Sequence, residues 1–218
     1  KNDTKLVSLY KTLSSTHLLN KAFGNDSNQL NKVFYGELLH LIGLEEVKDK
    51  GKKVIQRLPK EKREYGSLLE SAIFTLDDRD YLQNIPNLRS YGTTKEDQLF
   101  NVGLELCLTW INRILFLKLL ESQLLGYHDN DKNYRFLNQE FIQGFDDLEA
   151  LFFSALAKPL SDRNERHKDK YKYIPYLNSS LFEPSDLEKT AMQLSNIKDE
   201  QINLYDKTVL KDGNNKRL

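Results

Sequence analysis

Leucine-rich positions recur at three- and four-residue steps along most of the chain, which is the spacing of one face of an α-helix. The first such run reaches from Leu6 to Leu19, and a turn at residues 24–27 separates it from a second run. Gly43 fits the C-terminal end of that second run. The pattern predicts two short antiparallel helices over residues 4–44. The apolar stripe of the second helix consists of Leu30, Val33, Phe34, Leu38, Leu41 and Ile42.

The most apolar stretch, residues 104–125, predicts one long helix over about 94–125. A capping box of Thr93 and Glu96 should start this helix. At about 1.5 Å per residue it is a rod on the order of 45 Å long. Its apolar side chains surround the axis, so we expect other helices to cover it, with Trp110 and Leu115 buried. Four charged residues within the stretch argue against a membrane span, because each would cost about 2.5–3.5 kcal/mol in lipid.

The remaining patterns predict a mainly α protein, a multi-helix bundle around the long helix. Further helices are predicted near residues 146–157 and from a second capping box, Ser185 to Glu188. A short β element is expected near residues 53–58. The polar loop at residues 77–94 divides the chain into an N-terminal helical region with a basic loop, residues 1–85, and a long-helix bundle, residues 94–218. The 38 leucines against 10 isoleucines and 6 valines agree with helices.

The 32 basic and 32 acidic residues give a net charge of zero, which excludes a polycation but not a local basic face. Residues 48–63 hold eight basic and two acidic side chains. We consider these a candidate surface for DNA phosphates, with solvated charge as the alternative. The eight candidates are Lys48, Lys50, Lys52, Lys53, Arg57, Lys60, Lys62 and Arg63, of which Lys52, Lys53 and Arg57 are the best placed. A second basic loop is a further candidate for phosphate contact, with the same alternative, and carries Arg163, Arg166, Lys168, Lys170 and Lys172.

The spacing of chemically reactive residues predicts no catalytic or metal site. The four histidines never fall three or four residues apart, and Cys107, the only cysteine, is expected to be a core side chain. A single cysteine forms no internal disulfide, which favours a reducing compartment such as the cytoplasm. Glu46-Val47-Lys48 has the carboxylate–x–lysine spacing of many metal-dependent nucleases. Those pairs lie on strands, whereas this one is expected in a charged loop, so we attribute it to chance.

One stretch, Ile174-Pro175-Tyr176-Leu177-Asn178-Ser179-Ser180-Leu181-Phe182-Glu183, resembles a signature of large adenine-N6 DNA methyltransferases. That signature, Pro-Tyr-hydrophobic-Asn-Gly-Gly-Leu-Phe-acidic, stands just before the catalytic domain, notably in fused restriction endonuclease–methyltransferases. The matching residues are Pro175, Tyr176, Asn178, Leu181, Phe182 and Glu183. Ser179-Ser180 departs from the Gly-Gly pair, which puts in doubt any backbone conformation with positive φ there. The apolar helix at residues 109–118 also resembles the helical region of those enzymes.

The resemblance covers about residues 99–194 and implies a place within a restriction-modification enzyme. The Asn-Pro-Pro-Tyr/Phe catalytic loop of the family is absent here, so no catalytic residue is carried over. The segment is expected to be non-catalytic and to connect or position nuclease and methyltransferase domains, with contact to the backbone of double-stranded DNA. S-adenosylmethionine and Mg²⁺ are implied only for the parent enzyme. The chain begins at Lys1 and has one methionine, Met192, so we expect a longer parent. The rival hypothesis is a helical protein-interaction module that does not bind nucleic acid.

Overall fold

The structure is a computed structural model that describes residues 32–198 and residue 202. These residues form six α-helices and one two-stranded sheet, which confirms a mainly α protein. The predicted helix between Leu6 and Leu19, and the turn after it, lie outside the described residues. In chain order the elements are α1 (Lys32–Ile42), β1 (Leu44–Asp49), β2 (Lys52–Arg57), α2 (Leu68–Asp78), α3 (Lys95–Tyr127), α4 (Phe145–Ala150), α5 (Glu165–Lys170) and α6 (Asp186–Thr190).

The charged stretch after α1 is a β-hairpin rather than a loop with one strand. Gly43 ends α1 with φ 96°, as predicted, and β1 then pairs antiparallel with β2. Lys50 (φ 46°) and Gly51 (φ 82°) form the two-residue connection, and positive φ at both positions matches the right-handed twist of the strands. Periodicity of apolar residues did not mark β1, because four of its six residues are charged.

The long helix α3 is 33 residues long, about 50 Å at 1.5 Å per residue. Its N-cap is Thr94, whose hydroxyl accepts from the Asp97 N–H, so the predicted Thr93–Glu96 box is wrong by one residue. The helix also continues through Gly126 to Tyr127. Gly103 brings α3 close to α2, since a Cβ at this position would lie 3.2 Å from Ile73 Cγ1.

Burial of α3 is one-sided among the described residues. Leu106, Cys107, Trp110 and Leu117 are fully buried. Leu108 is 45% exposed and Leu119 51% exposed, so the expectation that other helices cover every side is not met within the described ranges. Leu115 is only half-buried, and the prediction that it belongs to the core is wrong. Leu117 lies about 200° further around the helix axis and shares the buried face of Trp110 and Arg113.

The chain after α3 is short helices and turns. A π-helical segment, Leu151–Leu156, continues directly from α4 and buries Leu151, Phe152, Ala155 and Leu156. The predicted capping box at the start of α6 is confirmed: the Ser185 hydroxyl accepts from the Glu188 N–H, and the Glu188 carboxylate accepts from the Ser185 N–H. The predicted loop at residues 77–94 begins after α2 ends at Asp78 and contains two 3-10 turns, Tyr81–Asn84 and Leu88–Tyr91.

Candidate nucleic-acid interface

The hairpin formed by β1 and β2 collects lysines around its turn. Lys48 lies directly opposite Lys53 in the register, an arrangement that is unfavourable for two cations. Glu46 relieves it, because its carboxylate lies 2.7 Å from the Lys53 ammonium. The hydrogen bond from Lys53 holds the pKa of Glu46 below its ordinary value, and the same bond raises the pKa of Lys53. One of the hairpin lysines is therefore engaged with a carboxylate.

Five of the eight predicted phosphate contacts have unpaired side chains among the described residues. They form neither an ion pair nor a side-chain hydrogen bond with any described group, and all five are exposed. Three of them surround the hairpin turn and two lie on the 3-10 turn that follows, Lys60–Lys62. Unpaired exposed ammonium groups are the form in which lysine contacts phosphate most readily. The five are Lys48, Lys50, Lys52, Lys60 and Lys62.

The two predicted arginines instead attach the hairpin to the helices. Arg57 donates from Nε and Nη2 to the two carboxylate oxygens of Glu70 on α2, at 2.8 and 2.7 Å, and Glu70 is only 6% exposed. The Arg57 guanidinium also lies 5.8 Å from the centre of the Phe100 ring. Arg63 donates to the Leu58 carbonyl at 3.0 Å. A guanidinium committed in this way positions the hairpin, so neither arginine is readily available to phosphate.

Glu46-Val47-Lys48 lies on β1, so the expectation that it occupies a loop is wrong. The residues opposite it on β2 are Ile55, Val54 and Lys53, and none of these supplies a carboxylate. A nuclease site needs a second acidic ligand close to the first. No group of three or more His, Cys, Asp or Glu side chains suited to a metal ion exists among the described residues. The nearest charged partner of Glu46 is Lys53.

The second predicted basic loop is divided by the structure. Arg163 is 2% exposed and donates to the carbonyls of Lys158, Tyr171 and Ile174 at 3.1, 2.8 and 3.0 Å. Burial lowers the pKa of Arg163. This arginine satisfies backbone acceptors of the loop and is not available to phosphate. Lys168 and Lys170 pair with Glu165 and Asp147, which leaves Arg166 and Lys172 as the unpaired cations of this loop within the described residues.

The residues of the methyltransferase-like signature separate into buried and exposed ones. Phe182 is fully buried and meets Phe116 edge-on with ring centres 5.6 Å apart. Pro175 and Leu181 are half-buried, and Tyr176, Asn178 and Glu183 are exposed. Ser179 has φ −141°, and no positive φ occurs at Ser180. The Ser-Ser pair therefore fits this backbone without glycine.

A buried arginine, which the sequence did not mark as a site, holds this segment against α3. Arg113 donates from Nε to the Leu181 carbonyl at 2.6 Å and from Nη2 to the Glu183 carbonyl at 2.9 Å. It also forms a bidentate pair with the Glu188 carboxylate, to which Trp110 Nε1 donates at 3.0 Å. Burial by itself raises the pKa of Glu188, but hydrogen bonds from Arg113 and Ser185 outweigh it, and the net shift is downward. The signal in the sequence was an arginine within the most apolar helix.

The fold and these contacts define a mainly α module that carries a basic β-hairpin on one part of its surface. Residues 27–218 match the family described as a domain of unknown function (DUF7814), and the chain belongs to that family. Neither a curated protein nor a solved structure matches the chain. No helix of the described residues has the length and apolar character needed to cross a membrane.

Proposed function

We propose that this chain is a non-catalytic helical segment of a DNA restriction-modification enzyme. Its role is to position the adjacent nuclease and methyltransferase domains and to contact the backbone of double-stranded DNA through the hairpin. The DNA contact is supported by one observation: some basic residues of the hairpin are paired within the protein, and others are not. Arg57 anchors the hairpin to α2, and this leaves the lysines Lys48, Lys50 and Lys52 around the turn without partners among the described residues.

The positioning role is supported by the way Arg113 holds the methyltransferase-like segment. Two backbone carbonyls of that segment and the carboxylate of Glu188 all accept from this one guanidinium. A segment fixed to a rigid helix of about 50 Å gives any domain that follows it a defined starting direction. By the same resemblance, S-adenosylmethionine and Mg²⁺ belong to the parent enzyme and not to this segment.

The DNA contact is tested by salt dependence. Neutralising one phosphate on duplex DNA changes the slope of log affinity against log salt by about 0.9. Replacing Lys48, Lys50 and Lys52 by alanine should therefore reduce the magnitude of the slope by about 2 to 3, equally on unrelated duplex sequences. Fluorescence anisotropy with a labelled duplex at several salt concentrations measures this. Arg57 and Lys53 are left in place, because their loss would leave Glu70 and Glu46 without their partners.

A matched control removes three lysines that are already paired with carboxylates. Lys95, Lys118 and Lys189 pair with Asp77, Glu121 and Asp186. Their replacement by alanine changes net charge by the same amount, but the salt slope should stay close to that of the unmodified chain. If both triples lower the slope equally, the effect is one of overall charge, and the hairpin is not a DNA contact.

A second candidate function, a protein-interaction module, is favoured by the apolar side chains that α2 and α3 expose. Phe74 is 59% exposed, and Leu108 and Leu119 are 45% and 51% exposed. Apolar association strengthens in the presence of excluded salts such as sulfate, whereas phosphate contact weakens as salt rises. A pull-down with the separately expressed neighbouring domains at low and high sulfate distinguishes the two. Capture that increases with sulfate and fails in the variant Leu108→Gln/Leu119→Gln supports the second candidate.

A further inference from the structure

A groove of about 720 Å³ lies beyond the C-terminal end of α3, away from the hairpin. The loop at residues 132–141 forms one wall, and residues 169–173 form the other. Glu121 fixes the first wall to α3, because its carboxylate accepts from the Leu137 N–H at 2.6 Å. The ion pair of Lys170 with Asp147 fixes the second wall to α4. Each wall is therefore fixed to a helix, and in the second wall that contact is made by Lys170, which itself lines the groove.

Three cations line this groove without an ion pair among the described residues: Lys132, Arg135 and Lys172. All three are exposed, and they are brought together from positions about 40 residues apart in the chain. Two carboxylates, Glu140 and Asp169, also line the groove and lower its net positive charge. The cations outnumber the carboxylates, so the net charge of the groove still favours an anionic ligand. Removal of the two carboxylates provides an independent test, because it should strengthen the binding of an anion.

Aromatic rings continue from one side of the groove to its rim. His128 stacks on Tyr134 with ring centres 3.8 Å apart and planes 5° from parallel. Tyr134 meets Tyr173 edge-on at 5.5 Å, and the Lys172 ammonium lies 4.9 Å from the centre of the Tyr173 ring. His128 is exposed, so its imidazole is accessible to a further ring from solvent.

Cations beside an open, already stacked aromatic ring suit one kind of ligand best. Single-stranded nucleic acid combines phosphates, which the cations attract, with bases whose faces are free to stack. In a duplex the bases stack on one another, so a ring on the protein surface has no base face to meet. The hairpin contrasts with the groove in this respect, since residues 44–57 include no aromatic side chain. The two surfaces are therefore suited to different forms of nucleic acid.

We propose that this groove binds a single-stranded nucleic-acid segment, with phosphates on Lys132, Arg135 and Lys172 and one base stacked on His128. The inference extends the proposed DNA contact and rests on it for the class of ligand, but it uses a separate surface. The chemistry is shared by DNA and RNA, so oligothymidylate and oligouridylate are both used as probes. Equal affinity for the two oligonucleotides means that the groove does not recognise the 2′-hydroxyl of RNA.

The experiment measures anisotropy of each labelled oligonucleotide with the 218-residue chain. Replacing Lys132, Arg135 and Lys172 by alanine should reduce the salt slope on single strands by about 2, at about 0.7 per contact. The variant with Lys95, Lys118 and Lys189 replaced is the matched control, because these lysines are already paired with carboxylates, and it should retain the single-strand slope. Replacement of Lys48, Lys50 and Lys52 should lower the slope more on duplex DNA than on single strands, and the groove variant should do the reverse.

Stacking is tested at His128 alone. His128→Ala should weaken single-strand binding about 5- to 160-fold, the range seen when a stacked base loses its aromatic partner. His128→Phe keeps the ring and should restore most of the binding, which a purely electrostatic role for histidine would not allow. The double variant Glu140→Gln/Asp169→Asn removes two negative charges from the groove and should therefore tighten single-strand binding. Circular dichroism of each variant verifies that the fold is retained.

Two results overturn the inference. One is single-strand binding that the groove triple and His128→Ala both leave unchanged. The other is no single-strand binding at all, whether or not the chain binds duplex DNA. Neither result bears on the hairpin contact, which the duplex measurements test separately. If the chain binds duplex DNA without any contribution from the hairpin lysines but the groove variants lose single strands, the proposed hairpin contact fails and the groove stands.

Discussion

The buried pair of Arg113 and Glu188 offers the most direct test of what holds residues 181–188 against α3. Arg113 is 2% exposed, and the Glu188 side chain is 1% exposed. Replacing Arg113 by methionine keeps an unbranched side chain near Phe152 and Phe153 but removes every donor. It leaves a buried carboxylate without its cation, and removal of one partner of a buried pair costs about 3–5 kcal/mol.

The upper part of that range is expected, because the substitution also leaves two backbone carbonyls without a donor. The carbonyls of Leu181 and Glu183 each accept from Arg113 and lie 68 and 70 residues from it in sequence. A buried acceptor that loses its donor costs about 1–3 kcal/mol. Part of this cost returns when the segment relaxes toward water, so the two contributions should not be summed.

Urea unfolding followed by the fluorescence of Trp110 measures the change in the free energy of unfolding. Trp110 is the only tryptophan, and it donates a hydrogen bond to Glu188. Circular dichroism provides a second probe, and coincident curves verify that unfolding is two-state. Lys189→Met is the control: its partner Asp186 is fully exposed on the same short helix, so about 0–1 kcal/mol is expected. A loss below about 1 kcal/mol for Arg113→Met would show that Arg113 does not stabilise this junction.

The other predictions concern acid stability and the face of α3. The pKa of Glu188 lies below its ordinary value of 4.5, so its contribution to stability is present above pH 4.5 and is lost as pH falls through the lower, folded value. Glu188→Gln should therefore flatten the fall in stability below pH 4.5, measured by urea unfolding across that range. Leu117→Ala should cost about 2–5 kcal/mol, since Leu117 is fully buried. Leu119→Ala should cost much less, because Leu119 is 51% exposed, and equal losses in urea unfolding would contradict the one-sided burial of α3.

Local rules in the sequence were sufficient for the helices and several of their ends. Gly43 after α1 and the Ser185–Glu188 box before α6 were both predicted, because each depends on residues within one turn. Two adjacent threonines made the start of α3 ambiguous, and the choice between Thr93 and Thr94 was wrong. The long helix itself followed from its apolar length.

The candidate sites depended on contacts that local pattern does not contain. Eight basic residues in a short stretch looked equivalent in sequence, but Glu70 engages Arg57, and Glu46 engages Lys53. Arg163 looked like a phosphate contact and instead satisfies three carbonyls of its own loop. Charge composition predicts how many cations a segment carries, whereas their availability depends on partners that folding brings near.

The sequence by itself determined that the chain is mainly α, that one long helix organises it and that basic residues concentrate in residues 48–63. Each of these follows from composition or from neighbours within a few residues. Tertiary structure alone decided which cations of that stretch are already paired, that Leu117 rather than Leu115 is buried, and that Lys132, Arg135 and Lys172 share one groove. The physical reason is that burial and charge neutralisation depend on which residues come together when the chain folds, and helical periodicity contains no information on that.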